Sequence, residues 1–431
     1  MLVRTTLVAH GIDNHDCRDS TGTIDHRARR NPMTLQEYTL AFPIWVEFGT
    51  GSTGNLGELV AAQGWENPLI VTDQGIIDAG LLEDVTASLT AAGIDYATYD
   101  GVEPNPTTAM VNEATAAIES EGCDAIVAVG GGSSIDVGKG ASLLATNPGT
   151  VADYEVTCAA DVSAAPIENH PLPLATVPTT AGTGSEVDYW AVITDEDREF
   201  KMALGQSPQH PGGPYLGAEL SVVDPALTES LPPRQTAATG FDAFSHALEN
   251  HVSAACPPIV KPMTEHVLGL VPEALPRAYE DGAMDARERM LFGSHVAGFC
   301  ENFAGFGAIH SLAETTGGMY PSIPHGEAIA AYTPAVMRYN IEAVPERYAE
   351  VAAAMGVDTA GRSTREAALA SVDAVERLID RVDLPSSLRE LGVAESDLPE
   401  IATNSLDTIE IHDNPRPADA DDLFEIATDA Y

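Results

Sequence analysis

Two domains are predicted: an N-terminal Rossmann-like α/β domain built on a parallel sheet, then a C-terminal all-helical domain. Three observations predict them. Short apolar segments alternate with helical patterns up to about residue 224. One of those segments runs straight into three glycines and a helix. From 233 to 431 helical patterns dominate, with few strand candidates. Strands alternating with helices imply a parallel sheet covered on both faces, and 431 residues give each domain enough chain for a core.

In order along the chain, WVEFGTG (45–51) reads as a strand entering a turn, and NPLIVTD (67–73) as a strand ending in Asp73. The segments 76–93 and 106–121 have helical periodicity. DAIVAV (124–129) is a buried strand, with a helix expected from Ser133 or Ser134, and LPLATVPTT (172–180) is another strand. The boundary is expected near Val223-Asp224-Pro225, dividing the chain into 33–224 and 225–431. Residues 1–32 carry Arg4, Arg18, Arg27, Arg29 and Arg30 without periodicity or an apolar run. They are expected to be a non-native or disordered extension ahead of Met33, not a secretory signal.

Acidic residues outnumber basic ones by 65 to 21, for a net charge of −44. Such a surface repels nucleic acid and anionic membranes. The acids are spread along the whole chain, as expected of a folded protein working in concentrated salt, where the Debye length is about 3 Å. The lysines are Lys139, Lys201 and Lys261 alone, so each surviving lysine is expected to have a role. Five scattered cysteines with no CxxC pair fit a reducing cytoplasm.

Four motifs carry chemistry. VAVGGGSSIDVGK (127–139) offers glycines and a helix N-terminus to a phosphate, or is simply a tight turn. PTTAGTGSEV (178–187) places Thr179, Thr180, Thr183 and Ser185 just past a strand, where a dinucleotide crosses the edge of such a sheet. In GFDAFSHALE (240–249), Asp242 and His246 are i and i+4 on one helix face, which suits half a metal site or a plain hydrogen bond. GFGAIHSLAETTGGMYPSIPHG (305–326) adds His310 and His325. One Asp with three His suits Fe²⁺ or Zn²⁺. Asp73 is placed to accept from a ribose 2′-OH and to repel a 2′-phosphate, favouring NAD over NADP, or it is a turn aspartate.

Together these motifs, with EPNPT (103–107), VVDPALTESLPP (222–233), PAVMRYN (334–340) and NPRP (414–417), resemble the iron-containing alcohol dehydrogenase family from about residue 40 to 431. The resemblance implies a nicotinamide-dependent oxidoreductase of alcohols, polyols or carbonyl compounds, at least dimeric. It implies that Gly131, Gly132, Ser133 and Asp136 hold the pyrophosphate and neighbouring sugar, and that Asn105 approaches the nicotinamide. Thr179, Thr180, Thr183 and Ser185 would line the cofactor cleft, Lys201 would touch the cofactor, and Asp242, His246, His310 and His325 would be the metal ligands. This sequence departs from the family at Glu314, where relatives often carry a second histidine, and at Glu301 and Trp190. Glu314 shares a helix face with His310 and is expected to be a general base, a further ligand, a contact to a substrate hydroxyl, or one more solvated acid. Competing readings are an oxo-acid reductase or transhydrogenase, a lyase of the dehydroquinate-synthase type, and a catalytically silent nucleotide-binding protein.

Overall fold

The computed structural model describes residues 38–159 and 163–431. The expectation for residues 1–32 lies outside the described residues. The strands are β1 (Trp45–Phe48), β2 (Pro68–Asp73), β3 (Ala97–Val102), β4 (Ala125–Gly130), β5 (Glu155–Val156), β6 (Leu174–Pro178), β7 (Trp190–Asp195), β8 (Phe200–Gly205) and β9 (Leu220–Val223). The helices of this half are α1 (Leu56–Gln63), α2 (Gln74–Asp78), α3 (Leu82–Ala91), α4 (Thr108–Glu121) and α5 (Gly132–Leu144). After Pro225 come α6 (Pro233–Val252), α7 (Lys261–Glu280), α8 (Met284–Ala304), α9 (Ala308–Met319), α10 (His325–Ile341), α11 (Pro345–Ala354), α12 (Thr364–Arg381), α13 (Leu398–Asn404) and α14 (Ala420–Asp429).

Six strands form a parallel sheet in the order β1-β9-β6-β4-β2-β3. Its central strands read as continuous apolar runs because both faces are buried. Leu69, Val71, Ile126 and Ala128 join one core with Ile118 and Ile135. The alternate residues Ile70, Val127 and Val129 join a second core with Leu56, Val60, Val85 and Leu89. From β2 the chain passes to β3 on one side and then to β4 on the other, so the order reverses between β2 and β4. In open α/β sheets, ligands bind beyond the strand ends at such a reversal.

Two expectations need correction. The helix foreseen over 76–93 is broken into α2 and α3, because Gly80 takes φ +74°, a left-handed conformation that ends a helix. The helix after β4 begins at Gly132, capped by Gly131, rather than at Ser133 or Ser134. The sequence reading also missed the small antiparallel sheet β5-β8-β7. Its β7–β8 hairpin turns over Asp195, whose Oδ1 accepts from the backbone N–H groups of Asp197 and Arg198.

The helical half packs around its own large core, with Phe241, Phe244, Leu268, Leu275, Tyr332 and Tyr348 among the buried side chains. From Thr236 onward nearly every residue of α6 is buried. Side chains on this helix therefore have fixed rotamers, which suits a site requiring precise donors. No helix among the described residues is long and apolar enough to cross a membrane.

Candidate active site

The end of β4 and the loop after β6 face each other. A Cβ on Gly132 would meet the Thr183 side chain at 2.9 Å, so the two loops approach as closely as glycine allows. Asp73 ends β2 and caps α2, its Oδ1 accepting from Ile76 N at 3.0 Å, while its Oδ2 accepts from Ser134 Oγ at 3.3 Å. It is thus a turn aspartate that also borders the glycine-rich turn. Asn105, at φ 57°, donates from Nδ2 to Pro321 O at 2.7 Å and ties this half to the loop before α10.

Asp136 and Ser185 are brought together: Ser185 Oγ donates to Asp136 Oδ1 at 2.6 Å, and Val192 N donates to Oδ2 at 3.1 Å. Burial lifts the Asp136 pKa to about 6 against the opposing pull of Lys139. Lys139 is itself fully buried and donates to Ser185 Oγ at 3.0 Å, Asp188 Oδ1 at 2.5 Å and Trp190 O at 2.5 Å. It staples α5 to the segment entering β7. Thr179 is buried beside this loop, and Thr180 packs against Gly131.

The four sequence-predicted ligands converge. Asp242 Oδ1 lies 3.5 Å from His246 Nε2, 3.7 Å from His310 Nε2 and 3.6 Å from His325 Nε2. The first and second positions lie one turn apart on α6, His310 is on the first turn of α9, and His325 opens α10 behind Pro324. Both Asp242 Oδ1 and His310 Nε2 are shut from solvent without a hydrogen-bond partner. Unpaired buried polar atoms are costly, and a divalent cation would satisfy this donor set of one carboxylate and three imidazoles.

Two further carboxylates orient the imidazoles. Glu249 Oε2 stands 2.5 Å from His310 Nδ1, and the same carboxylate accepts from Ile309 N and His310 N at the start of α9. Glu301 Oε2 lies 3.3 Å from His246 Nδ1. Carboxylates behind ligating histidines fix the tautomer and raise basicity. Burial opposes charge on His246, but Asp242 and Glu301 outweigh it and raise its pKa to about 10. His310 rises to about 9 in the same way, against burial, through Asp242 and Glu249. His325, where burial prevails over Asp242, falls to about 3. Protons and a metal cation therefore compete for these donors. The sequence reading quoted Glu249 within its motif without giving it a role. It also missed Phe306, whose ring stacks on His310 at 4.0 Å between centroids.

Glu314 is buried, which removes the reading of it as a solvated acid. Its Oε2 has no hydrogen-bond partner. Burial and the neighbouring Glu410 push its pKa well up, while Lys201 pulls the other way. Lys201 is buried on β8, its own pKa lowered by burial against Glu314. A cavity of about 140 Å³ joins these groups, lined by Asn105, Gly132, Ser133, Thr183 and Lys201 together with the ligand cluster.

Comparison with known proteins bears on the same two halves. The family profile for iron-containing alcohol dehydrogenase matches residues 43–225, and its C-terminal counterpart matches 236–431. A choline dehydrogenase of Bacillus subtilis (strain 168) is 40% identical over 380 residues, covering 88% of this chain and 91% of its own. A lactaldehyde reductase of Escherichia coli (strain K12) is 34% identical, covering 89% and 97%. Among solved structures, an archaeal halo-thermophilic alcohol dehydrogenase from a Red Sea brine pool superposes with a TM-score of 0.86 at 33% identity, covering 93% of this chain and 100% of that one.

Proposed function

The chain belongs to the iron-containing alcohol dehydrogenase family and is an oxidoreductase, and from that premise we propose how its residues divide the work. Residues 33–224 bind NAD⁺ and residues 225–431 hold the metal, Fe²⁺ or Zn²⁺, through Asp242, His246, His310 and His325. One observation carries this reading: the imidazole nitrogens of buried His246 and His310 and of half-buried His325 converge within 3.7 Å of one unpartnered carboxylate oxygen. When bound, such a metal polarises the alcohol oxygen and lowers its pKa, and the nicotinamide takes the hydride.

The chain's own residues do the rest. Gly131, Gly132 and Ser133 present the N-terminus of α5 to the pyrophosphate. Thr179, Thr180, Thr183, Ser185 and Lys201 line the cofactor's path, with Asp136 holding Ser185 in place. Asn105 fixes the nicotinamide end against the helical half. Asp73, at the order reversal of the sheet, disfavours NADP. Glu314 lines the same cavity as His310 and serves as the acid–base group that manages the hydroxyl proton. Support for that role is its burial and its unpartnered oxygen in the shared cavity.

The protein is further read as a cytoplasmic homodimer or larger homo-oligomer adapted to high salt. Supporting observations are the net charge of −44 and the exposed aromatic pair Phe48 and Phe292 beside edge strand β1. Elemental analysis of the purified protein, then chelation and restoration with Fe²⁺ or Zn²⁺, tests the metal assignment. His310→Ala should lose both metal and NAD⁺ reduction with an alcohol; full activity in metal-free His310→Ala protein would refute it. Glu314→Gln should lower turnover about 10²-fold with metal content intact; wild-type turnover across the pH range would refute that role.

A further inference from the structure

The inner cavity at the metal ligands adjoins a larger outer one of about 330 Å³, and Trp190, Val192, Glu301, Phe306 and Glu314 line both. A substrate whose hydroxyl reaches the ligand cluster therefore extends its other end past these residues into the outer cavity. The charged residues that line that cavity are all acidic. Glu301, Glu314, Glu410 and Asp413 line it, and among the described lining residues none is Lys, Arg or His.

These acids are not an exposed surface cluster. Glu314 is 7% exposed and Glu410 is 9% exposed, and in each the Oε2 atom is shut from solvent with no hydrogen-bond partner. Neither carboxylate has an ion pair within 4 Å among the described residues. Lys201 and His310 act on these carboxylates from the ligand side, but among the described residues no cation bonds either idle oxygen, and two buried carboxylates lining one cavity are costly until one does. Burial pushes both pKa values up, and for Glu314 the neighbouring Glu410 adds to it. The aromatic rings of Trp190 and Phe306 stand at the junction of the cavities, and such rings attract cations over their faces, Trp most strongly.

We propose that the outer cavity binds the positively charged head of an ammonium alcohol, held by Glu314 and Glu410 and by the rings of Trp190 and Phe306. The proposal rests on the dehydrogenase reading above and adds the substrate class to it. The chemistry balances as for any primary alcohol: the hydroxyl carbon gives a hydride to NAD⁺, the hydroxyl proton passes by way of Glu314 to solvent, and an ammonium aldehyde leaves with NADH.

The test compares two alcohols of the same shape, choline and its uncharged carbon isostere 3,3-dimethylbutan-1-ol, with 1,2-propanediol as a small neutral reference. All are assayed by NAD⁺ reduction with the metal-loaded enzyme at one fixed molar KCl concentration. The expected result is a kcat/KM for choline at least about 30-fold above the isostere, the scale of a desolvated cation–π contact. In Glu410→Gln that ratio should fall about tenfold, and Glu410→Asp, which keeps the charge, should recover most of it. A choline-to-isostere ratio near one, or oxidation of 1,2-propanediol but not choline, overturns the proposal while leaving the dehydrogenase reading standing. If none of the three alcohols is oxidised, the reading beneath it falls, and the proposal with it. The comparison in the wild type needs no variant, so misfolding of Glu410→Gln would not shelter the proposal.

Discussion

Lys139→Met should destabilise the protein rather than merely weaken its hold on cofactor. In the folded chain the Lys139 ammonium is fully buried and meets three acceptors, Ser185 Oγ, Asp188 Oδ1 and Trp190 O. Methionine fills a similar volume but, among the described residues, leaves the Asp188 carboxylate with only the Trp190 backbone N–H, at 2.8 Å. Removing one member of a buried ion pair costs about 3–5 kcal/mol, which for 431 residues unfolding together is a fall in Tm of roughly 3–6 °C. Removing both charges in Lys139→Met/Asp188→Leu should recover most of that loss, because no uncompensated charge then remains. The assay is thermal melting of wild type, single and double variants at one molar KCl concentration, with KM for NAD⁺ measured in parallel. If Lys139→Met melts within about 2 °C of wild type and only the KM for NAD⁺ rises, the lysine handles cofactor and the structural argument is wrong.

Glu249→Gln should weaken metal binding about 10- to 100-fold, read by competition with a chelator, because an amide cannot accept from His310 Nδ1, Ile309 N and His310 N together; unchanged affinity would refute it. Glu219 accepts from Leu174 N at 2.7 Å, yet burial raises its pKa to about 7 against the opposing effect of that bond. Its contribution to stability is therefore complete below the unfolded value near 4.5 and is lost as pH rises through about 7. Glu219→Gln should gain roughly 1–3 kcal/mol on wild type between pH 5 and pH 8, and parallel stability curves for the two proteins would contradict this. Moving from dilute buffer to molar KCl should raise Tm by more than about 10 °C, since the Debye length shrinks from about 30 Å to about 3 Å and the charge of −44 is screened; a Tm indifferent to salt would remove the halophilic reading. Asp73→Gly should admit NADP, and a wild type that already prefers NADP would show that Asp73 is a capping residue alone.

The parts of the fold legible in the sequence are those whose burial is total. β2, β4 and β6 sit in the middle of the sheet with both faces covered, so they are written as unbroken apolar runs bounded by turn residues. β3 lies at the sheet's edge and alternates exposed with half-buried residues, and its sequence ATYDGV carries an Asp and a Gly that weaken any strand signal. The β7–β8 hairpin was missed for a related reason: its turn spends four charged residues, Glu196 to Glu199, in a chain where acid is everywhere and no longer marks a loop.

The site divides along the same line between local and tertiary information. Asp242 and His246 could be paired from sequence because a helix fixes i and i+4 on one face, whereas His310 and His325 joined them through the resemblance of their motif to the family. What those histidines lean on was not readable in that way. Glu249 lies three residues after His246 on the same helix, yet its partner is His310, 61 residues further on. Glu301 reaches His246 from α8. Glu410 enters the cavity from a short turn near the end of the chain, with nothing local to mark it. A ligand can be recognised from its own motif, whereas a carboxylate that orients a ligand is defined by a contact between elements. In a chain with 65 acids, composition hides those few carboxylates among the many that face solvent. Burial without an arginine or lysine ion pair among the described residues is what separates them: Glu249, Glu301, Glu314 and Glu410 are all withdrawn from water, while the equally buried Glu155 and Glu327 pair with Arg198 and Arg234. In a protein whose acids otherwise serve solubility in salt, a buried acid is the one to test for chemistry.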